Sequence, residues 1–186
     1  MIALTVFAAI VAFGCMAACT RRLYLATHPI AFHPTVWLEH VKRGEAELVL
    51  GAIAKDPRAV WERELVDAVS EPDPAARVGR VNEQLSELDF LLARWERVPR
   101  VCASIASSAG ILFGSLVLRF GLNATLDIPD DGRSDAINGV VLQAVNVAAL
   151  GVAGAAFAIA SQYRARQASK AFQRDADTLV ALLEGD

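Results

Sequence analysis

An all-α, three-span integral membrane protein is the fold class this sequence predicts, and three observations predict it. Residues 2–18, 101–118 and 136–160 are long apolar stretches without a charged side chain. The segments between and after them carry apolar residues at helical spacing. The basic residues fall unequally on the two sides of these stretches, as they do in membrane proteins. Composition agrees: 54% of the 186 residues are hydrophobic, against about 45–50% in a soluble domain. Mean hydropathy is +0.37.

A membrane-crossing helix needs about 20 mostly apolar residues, and in lipid its backbone must bond to itself. The first span is expected over 1–19. It ends at Arg21-Arg22 and lacks a basic leading region, so a retained helix is expected rather than a cleaved signal peptide. A helical insert follows over 20–98, then a second span over 99–119. A short loop, 120–135, leads to a third span over 136–162. A C-terminal helix, 163–186, completes the chain.

Of the 18 Lys and Arg residues, twelve lie between Thr20 and Arg100 and four after Ala160. Only Arg119 and Arg133 lie between the last two apolar stretches, a connection that also holds Asp127, Asp130, Asp131 and Asp135. Basic residues stay on the cytoplasmic side. The insert and tail are therefore expected in the cytoplasm, with the N-terminus and the loop outside.

Within the insert, Pro34 is expected to open a helix through Val41, with Leu48-Val49-Leu50 near its end. Asp56-Pro57 marks a break and a new start, with proline in the first helical position. Trp61, Leu65 and Val69 then recur on one face. Pro72 and Pro74 interrupt the chain again. From there Val78, Val81, Leu85, Leu88, Leu92 and Trp95 form a sustained amphipathic stripe leading into the second span, with Pro99 as a kink or a point the helix runs through. The third span continues into the tail on a stripe of Ala171, Phe172, Leu179, Val180 and Leu183. Unbroken from Ile137 to Leu183, it would measure about 70 Å.

Function classes narrow by what the residues lack. A formal net charge of -3 argues neither for nor against a nucleic-acid partner, but no Lys/Arg cluster with interleaved aromatics is present, so none is expected. His28, His33 and His40 are not spaced as a metal pair on one helix face. Cys15, Cys19 and Cys102 are odd in number and lie in or beside apolar segments, so they read as small apolar helix residues rather than a disulfide framework or metal site. No nucleophile–base set, phosphate loop or carboxylate dyad is present, so neither an enzyme nor a cofactor is expected.

The spans carry two kinds of informative residue. Gly110 and Gly114 form a GxxxG step in the second span, and Gly154 lies in an alanine- and glycine-rich stretch of the third. Such residues let helices approach closely in lipid. Asn138, Gln143 and Asn146 are polar, with Gln143 and Asn146 three residues apart. A polar side chain at membrane depth needs a partner or water and marks a candidate functional site.

With these residues in view, the chain resembles the MotA/TolQ/ExbB family of proton-channel subunits, nearest its three-span TolQ/ExbB branch. The likeness covers the span order over essentially the whole length. Arg77 to Gly114 resembles the family's arginine-rich amphipathic helix and the segment after it, here Ile105-Ala106-Ser107-Ser108-Ala109-Gly110-Ile111-Leu112-Phe113-Gly114-Ser115-Leu116. Ser115 stands near the place of the family's pore threonine. In the third span Gly154, Ala158 and Ile159 fit the family's frame, while Ala160 replaces a proline. Gly151 takes the place of a second threonine and Asn146 that of a glutamate.

The resemblance implies a ring, usually a pentamer, in the bacterial inner membrane. The ring would enclose a single-span TolR/ExbD/MotB-like partner whose aspartate carries the proton. It also implies that Asn146, Ser115, Gln143 and Gly151 line the pathway, and that proton movement drives work elsewhere in the envelope. Two alternatives stay open: a non-conducting structural subunit of the same fold, and an unrelated membrane anchor or scaffold.

Overall fold

A computed structural model describes residues 2–185. They form seven helices and, among the described residues, no strand. These are α1 (Ile2–Thr27), α2 (Pro34–Lys42), α3 (Ala46–Lys55), α4 (Val60–Val69), α5 (Pro74–Ala93), α6 (Val98–Thr125) and α7 (Asp130–Gly185). Three helical stretches are long and apolar enough to cross a membrane, within Ile2–Thr27, Pro74–Thr125 and Asp131–Leu183. The chain divides into two units, Met1–Leu23 with Glu96–Arg164, and Tyr24–Trp95 with Ala165–Asp186.

The first unit joins α1, α6 and the leading part of α7. Two small-residue clusters hold it, and each takes residues from all three helices. One gathers Cys15, Cys19, Cys102, Ala106 and Ala158. The other gathers Ala8, Val117, Ala144 and Val147. Small residues therefore face inward. Many large ones face outward: Phe7, Ile10 and Phe13 on α1, Ile111 and Leu112 on α6, Leu142, Val152 and Ile159 on α7 are all exposed, while Leu4, Phe113 and Leu118 pack partly against the second cluster. A water-soluble bundle buries its large apolar residues; the reverse suits helices whose outer faces meet lipid.

The hairpin between α6 and α7 is tighter than the 120–135 loop expected from sequence. Helix α6 runs on to Thr125, whose hydroxyl donates to the Leu122 carbonyl at 2.8 Å. Only 126–129 lie outside the helices. The Pro129 carbonyl accepts from the Gly132 and Arg133 amides, each at 3.1 Å, and the Arg133 guanidinium donates to the Ile128 carbonyl. Proline just before the first helical residue and these bonds start α7 six residues earlier than hydropathy alone indicates.

The second unit is a conventional amphipathic bundle. Its core joins Trp37, Leu38, Val49, Ile53, Trp61, Leu65, Val81, Leu88, Leu92, Phe172, Leu179 and Val180. Polar bonds fix the packing. The Phe32 amide donates to Glu62 Oε1 at 2.6 Å, and Trp61 Nε1 to the Gln84 carbonyl at 2.9 Å. Gln173 Nε2 donates to Asp89 Oδ1 at 2.6 Å, and the Thr35 hydroxyl to Asp175. Arg80 pairs with Glu71 at 3.0 Å.

Three boundaries in this unit differ from the sequence expectation. The helix opened by Pro34 stops at Lys42 instead of reaching Leu50. Gly44 adopts φ +74°, its amide bonds the Val41 carbonyl and the Glu45 amide bonds the His40 carbonyl. This is a left-handed glycine C-terminus, with a separate α3 beyond it. Pro57 does not start a helix: it sits in a turn closed by Arg58 N to Asp56 Oδ1 at 2.9 Å, and α4 begins at Val60. The chain also does not run helically from α5 into α6. Trp95 takes φ +69°, breaking the helix four residues before Pro99, which lies harmlessly in the first turn of α6. The stripe on α5 is buried at Val81, Leu88 and Leu92, but its ends, Val78 and Trp95, are exposed. Helix α7, by contrast, is unbroken over 56 residues.

Candidate functional site

The α6–α7 seam in the first unit is made by residues without side chains. A Cβ on Gly110 would stand 2.7 Å from the Gly151 Cα, and one on Gly151 would stand 2.5 Å from the Ala106 carbonyl oxygen. One on Gly114 would meet the Ala144 carbonyl oxygen at 3.0 Å, and one on Gly154 the Ala106 Cβ at 3.2 Å. Gly121 continues the contact, its Cβ position falling against the Val140 side chain. Backbones thus approach along the length of an antiparallel pair. Gly110, Gly114 and Gly154 all lie in this seam. Gly151, grouped with the pathway residues by resemblance, is buried in it too. Gly121 was missed by the sequence reading, although it lies seven residues after Gly114, on the same face.

The remaining polar candidates separate. Gln143 is half-buried and its Nε2 donates to Thr5 Oγ1 of α1 at 3.4 Å. Thr5 carried no signal in the sequence, since a lone threonine in an apolar stretch is ordinary. Ser115 is exposed, and its hydroxyl is satisfied by the Ile111 carbonyl of its own helix at 2.8 Å. Asn146 is also exposed, on a stretch whose other outward residues include Leu142, Val145 and Val152. Neither Ser115 nor Asn146 points into the three-helix seam. Any polar path they line runs along the outer surface of this chain.

Among the described residues no group of three or more His, Cys, Asp or Glu side chains is arranged to hold a metal ion. The histidines serve local structure: His33 Nδ1 accepts from the Thr35 amide at 3.3 Å and its ring lies edge-on to Phe172, while His28 stacks on Tyr24. His40 Nδ1 lies 2.9 Å from the Val36 carbonyl.

No protein-family model, curated protein or solved structure matches the chain.

Proposed function

We propose that this chain is a ring-forming subunit of a proton-motive-force-driven complex in the bacterial inner membrane, surrounding a single-span partner that carries a proton-binding aspartate. The carrying observation is Asn146: a carboxamide on the exposed face of an apolar, membrane-length helix. In lipid such a group needs a hydrogen-bonding partner or water. Since it is exposed on the outer face of this chain, a protein partner for it would come from another chain. Ser115 lies on the exposed face of α6 in the same way. The remaining outer surface is large and apolar, which suits subunit and lipid contacts.

The test is proton flux into vesicles carrying the chain with its single-span partner. Asn146→Leu is expected to reduce flux sharply while the complex still assembles. Wild-type flux in that variant overturns the pore role.

One observation favours a second reading, a non-conducting structural subunit of the same fold. Residues 101–118 and 136–160 contain no ionisable acid or base other than a cysteine thiol, so the chain cannot relay a proton through a carboxylate of its own. An intact assembly without flux selects this reading.

A further inference from the structure

Every cysteine of the chain sits in one place. Cys15 and Cys19 are four residues apart on α1, hence on one face, and that face meets Cys102 in the first turns of α6. All three are free and buried, and they share a cluster with Ala106 and Ala158. The three thiols therefore share one buried pocket of the α1–α6 contact. Packing alone does not require sulfur here, because Ala8, Ala12, Ala106 and Ala158 fill other inward positions of the same three helices. Sequence alone gave these residues a packing role; what it hides is that the odd third thiol is common to two possible pairs.

We propose that the three cysteines form a redox-sensitive latch, in which Cys102 closes a disulfide with Cys15 or Cys19 and thereby ties α1 to α6. With a small permeant peroxide as oxidant the chemistry balances. One thiol sulfur attacks the O–O bond, giving a sulfenic acid and one water. The second thiol then displaces the sulfenic oxygen as a second water, leaving the S–S bond. Two thiols are oxidised by two electrons and the peroxide is reduced. The remaining α1 thiol can attack the new disulfide, moving the link by one helical turn without further oxidant. In a reducing cytosol the latch stays open and closes under oxidative load. The inference is independent of whether the chain conducts protons.

The test uses the full-length chain in membranes treated with hydrogen peroxide. Denaturing thiol titration is expected to fall from three per chain to one, peptide mapping to join residue 102 to 15 or 19, and dithiothreitol to restore all three. Cys15→Ala and Cys19→Ala are each expected to keep the link through the other partner. Cys102→Ala, with its helix content checked by circular dichroism, is expected to form no α1–α6 link, and the double variant Cys15→Ala/Cys19→Ala serves the same purpose should that variant fail to fold. Three persisting thiols, oxidation to sulfinic or sulfonic acid without a link, or a link only between two chains would each overturn the proposal.

Discussion

At Gly110 and Gly151 the two helices meet backbone to backbone, so the cost of a single methyl can be ranked along the seam. Gly151→Ala and Gly110→Ala place a Cβ within 2.5–2.7 Å of backbone atoms and are expected to cost about 1–3 kcal/mol as the helices are forced apart. Gly154→Ala meets the Ala106 methyl at 3.2 Å and Ala12 no nearer than 3.5 Å, and should cost less. Gly139→Ala meets nothing within 4 Å and should be neutral or slightly stabilising, by up to about 1 kcal/mol, because alanine is the better helix former. Thermal unfolding of the purified variants checks the order; equal midpoints for Gly151→Ala and Gly139→Ala would refute the close approach. A second residue-scale prediction concerns Glu62, which is 0% exposed and accepts from the Phe32 amide. Glu62→Ala leaves that donor unpaired and should cost about 1–3 kcal/mol, with Glu62→Gln milder because its carboxamide oxygen still accepts. Asp56 supplies a pH dependence: hydrogen bonds from Arg58 hold its carboxyl below the usual range. A lowered carboxyl pKa stabilises the folded state above the unperturbed value of about 3.9, and that contribution is lost as pH falls through the lowered one. The Arg58 amide resonance should therefore titrate with a midpoint below that of a free aspartate, and a midpoint at the ordinary value contradicts the turn.

At the scale of elements, the spans were legible and their ends were not. Hydropathy finds a charge-free run, but α6 and α7 extend beyond the apolar zone, because helix boundaries follow backbone bonding. Thr125, Pro129 and Arg133 settle the hairpin, and none of them adds to the apolar run that hydropathy detects. The split between α2 and α3 was readable in principle: Lys42-Arg43-Gly44 is a basic last turn followed by glycine. Its left-handed φ makes a prediction. Gly44→Val should cost about 1–2 kcal/mol from backbone strain alone, even though a Cβ there meets nothing within 4 Å. A variant as stable as the parent would show that α2 and α3 do not need that turn. The site was legible only in part for a similar reason. GxxxG spacing marks Gly110 and Gly114, yet nothing in one sequence says whether a polar residue such as Asn146 faces the seam or the outside. Only the helix partners decide that, and they place Gln143 toward α1 and Asn146 outward.

For the molecule as a whole, two design rules coexist in one chain. The first unit packs small residues inward and shows large apolar ones outside; the second buries tryptophan, phenylalanine and leucine and exposes charge. That contrast suits lipid around the first unit and water around the second. Ser115 and Asn146 lie on the outer faces of α6 and α7, which is why the proposed function needs more than one copy. The most direct measurement is native mass spectrometry of the complex extracted gently from its membrane. The account predicts a closed ring, five copies by resemblance to the family, enclosing a smaller single-span chain. A single copy without that companion, at concentrations where the protein remains folded, would contradict it and leave a membrane anchor in its place.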